Sequence, residues 1–163
     1  MTDAAIVVRP AERGDLPEVS KLAGSLVRMH HAVDPQRFLL VDNVEEGYAW
    51  WLSRQLQNKK AVVLVAVEGD AVVGYAYGTI EERDWNMLLD EHGAVQDIRV
   101  AEPTRRRGVG GQLLDAMLRA LEGKGVPRVV LSTMIGNESA QRLFRSRGFR
   151  PTMLEMTRER GGG

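Results

Sequence analysis

The chain has 163 residues, 44% hydrophobic and 27% charged, which suits one domain with one sizeable core and would hardly house a second. Twenty-two basic residues balance 22 acidic ones, which removes the overall positive field of a dedicated nucleic-acid binder; cysteine is absent, excluding disulfides, thiolate metal sites and a cysteine nucleophile. The start MTDAAIVVRP has no basic segment followed by an apolar one, and no run of about eighteen apolar residues occurs, so a soluble, cytoplasmic chain without a membrane segment is expected.

In chain order, residues 5–9 form an apolar run stopped by Pro10, which predicts an edge strand because proline cannot donate to a ladder. Asp15, Pro17 and Glu18 predict a capped helix start, with Leu16, Val19, Leu22, Ala23, Leu26 and Val27 at helical spacing behind it. That helix is expected to fray near His30 and His31, before a turn at Asp34-Pro35. Asn43 and Glu46 predict a second start. Its apolar face is Val44, Tyr48, Trp51, Leu52 and Leu56, its end is near Asn58, and Tyr48, Trp50 and Trp51 are expected in the core.

Residues 61–82 are rich in β-branched and aromatic side chains and predict a hairpin turning at Glu68-Gly69-Asp70. A polar connection over 83–93 precedes a strand over 94–100. Val109, Leu113, Leu114, Met117, Leu118 and Leu121 then mark a helix stopping at Gly123 and Gly125. PRVVLST predicts a strand, Asn137 the cap of a shorter helix, Gly148 its left-handed end, and residues 149–157 a loosely alternating last strand. The expected product is one α/β (α+β) domain over residues 1–157 with a loose tail at 158–163. Its sheet is mixed, with helices on both faces, because strand–helix–strand over 94–133 demands a parallel pair with a right-handed crossover.

Arg105, Arg106, Arg107, Gly108, Val109, Gly110 and Gly111 lie between a strand and the helix that follows it. The first amides of a helix lack intrahelical partners and sit at the positive end of its dipole, so this junction offers an anion site. Glycines let a diphosphate approach the main chain, and arginines add forked contacts. Positive side chains at a helix start oppose the dipole, a placement that an anionic ligand would settle. Neither G-x-x-x-x-G-K-[ST] nor G-x-G-x-x-G is present.

The run Arg105-x-x-Gly108-x-Gly110 resembles the Q/R-x-x-G-x-G/A signature of the GNAT superfamily of N-acetyltransferases. The stretch from Asn137 through Ala140 and Phe144 to Gly148-Phe149 is similar to that family's N-x-x-A-x-x-L-Y-x-x-x-G-F segment. The resemblance implies a mostly antiparallel sheet of six to seven strands with one splayed parallel pair. It implies acetyl-CoA as cosubstrate, an amine acceptor as partner, and direct attack of the amine on the thioester. By position, main-chain groups of Ile98, Arg99 and Val100 would meet the pantetheine arm. Residues 105–111 would hold the pyrophosphate, with Gln112 beginning the helix proper, and Asn137 and Phe144 would line the other side. Many members are homodimers; nothing in the sequence fixes the oligomeric state.

The acceptor amine must lose a proton to react, and the chain offers several candidates. Asp97, in a VQDIRV segment similar to the E-D-x-x-V form of polyamine acetyltransferases, is one base candidate. Glu81 at the end of the hairpin is another, and His31, beside His30 at the end of the first helix, a third. Trp85 is a candidate for the acceptor pocket. Phe144 stands where many members carry a tyrosine that protonates the thiolate, and it cannot donate a proton. Alternatives are a non-catalytic acyl-CoA sensor and a nucleic-acid binder using Arg105, Arg106 and Arg107.

Overall fold

The computed structural model describes residues 4–161. Residues 162–163 of the expected tail lie outside the described residues. The order is β1 (Ile6–Pro10), α1 (Leu16–Val33), α2 (Val44–Gln55), β2 (Ala61–Glu68), β3 (Ala71–Glu81), β4 (His92–Val100), α3 (Val109–Glu122), β5 (Val129–Leu131) and α4 (Glu138–Ser146). The sheet runs β1-β2-β3-β4-β5, antiparallel up to β4 and parallel between β4 and β5.

The described residues form five strands, not six to seven. The missing one is the expected strand over 149–157, which has no ladder partner. Pro151 removes a donor there, and β5, three residues long, offers little edge to pair with. Met153, Leu154 and Met156 of that segment are consequently exposed.

Two apolar layers cover the sheet. On one face Leu113, Leu114, Met117 and Leu121 of α3 pack on Leu64, Ala66, Ala76 and Val95. On the other, Leu16, Val19 and Ala23 of α1 and Leu52 of α2 pack on Val63, Val65, Tyr75 and Tyr77. Gly78 lets α3 lie this close, since a Cβ there would stand 2.6 Å from Met117 Sδ. No helix among the described residues is long and apolar enough to cross a membrane.

Local starts and stops differ from expectation in instructive ways. Asp15 does not cap α1 through its side chain: its carboxylate accepts from the Glu12 amide at 2.7 Å and takes a fork from Arg9 at 2.7 and 2.9 Å. Asn43 is left-handed (φ 58°) and makes no side-chain cap either. α1 continues past His31 to Val33, and α2 stops at Gln55, three residues early. Trp50 and Trp51 are exposed, not core, because the inward positions of α2 are taken by Leu52 and Gln55.

β4 carries one irregularity. Tyr77 faces Asp97 but the next residue, Gly78, faces Val95, so Gln96 is an extra residue bulged out of the ladder. As a result Asp97 and Arg99 stand opposite Tyr77 and Tyr75 on the α1/α2 side, while Ile98 and Val100 pack toward α3.

Candidate functional site

The site begins where β4 loses one of its neighbours. Gly93, Ala94 and Val95 are registered against Val129, Val130 and Leu131 of β5, but residues 97–100 pair with β3 alone. Ala101 N donates to Val73 O at 2.7 Å. Bonded and non-bonded pairs alternate in an antiparallel ladder, so Asp97 and Arg99 direct their main-chain groups at β3. Ile98 and Val100 direct theirs toward the gap beyond the end of β5. The Val100 carbonyl accepts from Arg105 Nε at 3.2 Å.

The strand then reverses through a 3-10 turn over Glu102–Thr104, where Thr104 Oγ1 donates to Ala101 O at 2.9 Å. Arg106 (φ 66°) and Gly108 (φ 79°) are left-handed and curl the chain into α3. For a non-glycine residue such as Arg106 that conformation costs about 1–3 kcal/mol, the kind of strain that concentrates at functional sites. The first intrahelical bond of α3 runs from Gln112 N to Gly108 O (3.1 Å), so the amides of Val109, Gly110 and Gly111 have no partner in the helix. A Cβ on Gly110 would meet nothing nearer than Leu143 at 3.7 Å and Val100 at 3.9 Å. The protein therefore has no internal need for glycine there, although glycine costs a helix about 1 kcal/mol relative to alanine. These residues fit a diphosphate lying over unbonded amides.

The arginines of this junction have different employments. Arg105 is bonded to Val100 and Arg106 is exposed. Arg107 makes a fork with Glu68 at the end of β2 (2.7 and 3.2 Å), holding that carboxyl below its ordinary range. Arg147, over Gly111, forks onto Asp115 (2.9 and 3.2 Å). Across the gap, Asn137 Oδ1 accepts from Ala140 N at 3.2 Å and starts α4. Phe144 stands edge-on to Phe149 with ring centroids 6.0 Å apart, and both pack against the α3 layer.

On the other face, Asp97 is ringed by groups from three elements. Tyr75, fully buried on β3, donates its hydroxyl to Asp97 Oδ2 at 3.0 Å. Burial pushes the Asp97 carboxyl above its ordinary value, against the opposing pull of the Tyr75 bond and of the charge of His30 on α1. Burial, with the charge of Asp97 second, pushes the Tyr48 phenol of α2 up to about 12 and the Tyr75 phenol well above its ordinary value. His30 Nδ1 lies 2.8 Å from Leu26 O; a carbonyl only accepts, so that nitrogen carries a proton and donates it there.

The other base candidates lie elsewhere. His31 Nδ1 is bonded to Phe38 O (2.8 Å) and fastens the connection between α1 and α2. Glu81 is registered against His92 at the far end of β4, accepts from Thr79 Oγ1, and is about 13 Å from Tyr77 along the strand at roughly 3.3 Å per residue. Trp85 lies against Arg83, 5.3 Å from guanidinium to ring, in an exposed connection. The structure thus brings the main chains of Ile98 and Val100 together with the start of α3, turns that of Arg99 to β3 instead of the expected pantetheine arm, sets Asp97 on the opposite side of β4, and leaves Glu81, His31 and Trp85 outside. Sequence reasoning missed Tyr48, expected only in the core, and Tyr75, not singled out within the hairpin; pairing β3 with β4 in the right register would have exposed Tyr75.

Three comparisons bear on this geometry. The profile of the acetyltransferase (GNAT) family matches residues 26–149. A curated relative, the N-alpha-acetyltransferase of Sulfurisphaera tokodaii, is 32% identical over 111 residues; these cover 64% of this chain and 66% of that protein, just under two thirds of its length. Among solved structures, a tetramutant of the BH1408 protein from Bacillus halodurans is similar with a TM-score of 0.78 and 21% identity, covering 94% of this chain and 99% of that one. The aminoglycoside N-acetyltransferase AAC(6')-Iy in complex with CoA gives a TM-score of 0.74 and 18% identity, covering 99% and 98%. At these identities the structural likenesses speak for the fold.

Proposed function

Because the chain belongs to the acetyltransferase (GNAT) family, we propose that it transfers an acetyl group from acetyl-CoA directly to a primary amine within one ternary complex. The observation that carries this reading is the continuity of the half-paired end of β4 with the unbonded amides of α3. Val109, Gly110 and Gly111 amides, with Arg106 beside them, would hold the pyrophosphate, and the main-chain groups of Ile98 and Val100 would hold the amides of the pantetheine arm. Bound acetyl-CoA supplies a thioester carbonyl ready for attack.

The chain's own residues do the rest. Asp97 takes a proton from the acceptor's ammonium, which frees the nitrogen lone pair. A new N–C bond then forms, the C–S bond breaks with its electron pair leaving on sulfur, and the second proton that the nitrogen sheds on becoming an amide goes to solvent or to the departing thiolate. The Val100 amide, aimed at the gap, donates to the carbonyl oxygen as negative charge grows there. Phe144 provides no proton, so the thiolate departs without help from that position. The relative named N-alpha-acetyltransferase makes the α-amine of a protein N-terminus the first acceptor to assay, and the aminoglycoside enzyme makes an amino sugar the second.

The test is release of free thiol from acetyl-CoA in the presence of a panel of amines. Amine-dependent release that is lost in Asp97→Asn supports the reading. Tight CoA binding with no thiol release for any amine would favour the sensor alternative.

A further inference from the structure

We infer that the recess between the first half of α1 and the end of β4 is an anion site centred on Arg99, with Arg105 and Lys21, taking a carboxylate or phosphate group. The recess is about 270 Å³; no residue of α3 lines it, and its wall includes Glu18, Lys21 and Ser25 of α1 together with Arg99, Val100, Glu102 and Arg105.

Arg99 is the anomaly that calls for a ligand. Arg9, Arg28, Arg37, Arg83, Arg107 and Arg147 each have a carboxylate partner. Arg99 is half-buried and, among the described residues, has none: its Nε donates to Ser25 Oγ at 3.0 Å, and its two terminal nitrogens are left unbonded. Arg105 likewise spends one donor, on Val100 O. Burial, and after it the charge of Arg105, lower the Arg99 pKa, yet a guanidinium stays charged at neutral pH. Two guanidiniums turned toward one hollow with donors to spare form a bidentate receptor for an oxyanion.

Acids are present but only partly offset this charge. Glu18 is bonded to Lys21 at 2.7 Å, and Glu102 acts on Arg99 only at longer range. The position of the recess favours an acidic group of the acceptor over one of the coenzyme. Arg99 shares its side of β4 with Asp97, about 6.6 Å along the strand at roughly 3.3 Å per residue, whereas the side chains of Ile98 and Val100 pack toward α3. The assignment to the acceptor rests on the acetyl-transfer reading; the anion site itself does not.

The experiment titrates inorganic phosphate, followed by calorimetry, into the CoA-saturated protein, so that the α3 amides are already covered. The parent is expected to bind phosphate, Arg99→Gln to weaken that binding about tenfold or more, Arg99→Lys to restore part of it, and the exposed Lys21→Gln to weaken it less. Affinities for CoA and for 3′-dephospho-CoA that are unchanged in Arg99→Gln assign the site to the acceptor. Loss of affinity for CoA alone assigns it to the coenzyme's 3′-phosphate and overturns the acceptor assignment. Phosphate binding that is absent from the parent both with and without CoA, or equal in parent and Arg99→Gln, overturns the site. Should CoA itself fail to bind the parent, the acetyl-transfer reading falls, and phosphate titrated into the free protein still reads the recess through the same variants.

Discussion

The two halves of β4 differ in what the protein asks of them. Residues 93–95 are clamped between β3 and β5 and sealed by Leu121 and Val126 of the α3 layer. Residues 97–100 keep β3 on one side and give up the other, and here Asp97, Arg99 and two free sets of main-chain groups gather. The strand pays for chemistry with hydrogen bonds: where β5 stops, the ladder groups it would have satisfied become a ligand surface. The first half should therefore respond to mutation in stability and the second in binding and turnover.

The largest effect that division foresees is that of Asp97→Asn. The amide keeps an acceptor for the Tyr75 hydroxyl, so the fold survives, while loss of the base lowers kcat by about 100- to 10,000-fold at nearly unchanged CoA affinity. In the parent, kcat/KM should fall on the acid side as the carboxylate takes up its proton. Burial raises the carboxyl's pKa, so the midpoint lies above the usual 3.9 or so. Tyr75→Phe removes a bond that favours the ionised form and moves the midpoint further up, which a pH profile reads directly.

In the clamped half, Leu121→Ala should cost about 2–5 kcal/mol in urea unfolding, because Leu121 is fully buried against Gly93 and Val126. CoA affinity of the folded fraction should stay as in the parent; a parallel loss would mean that the halves are coupled. Gly110→Asp places bulk and negative charge over the α3 amides and should weaken CoA about 100-fold by calorimetry, with little change in thermal midpoint. Undiminished affinity would remove the diphosphate from that place. The smallest effect is expected of Glu81→Gln, within about threefold of parental turnover, since Glu81 lies beside His92 in the clamped half.

Much of the fold could be read from local signals. Pro10 ends β1, Gly69-Asp70 turn the hairpin, the apolar stripe of α3 runs to Gly123, and Asn137 caps α4. These features depend on neighbours in sequence. What escaped depends on partners far along the chain. Arg107 is held by Glu68, 39 residues away, and the choice between His30 and His31 follows from how α1 is rotated on the sheet. The segment over 149–157 alternates like a strand but finds no edge to join, so its pattern alone misled. The junction at 105–111 was legible because its chemistry is written in backbone freedom, which glycines announce; the environment of Asp97 was not, because tyrosines read equally well as core.

Gln96 is one residue too many for a regular ladder. Side chains change sides at every step along a strand, so a single insertion exchanges the sides of everything downstream. Val95, Asp97 and Arg99 all hold odd numbers, yet the first belongs to the oily layer beneath α3 and the other two to the opposite surface. Excising Gln96 would drive two charges under the leucines of that layer and bring Ile98 and Val100 out among the tyrosines. The strand should thus tolerate many exchanges of one side chain for another and almost no change in its length: here the site is kept by counting.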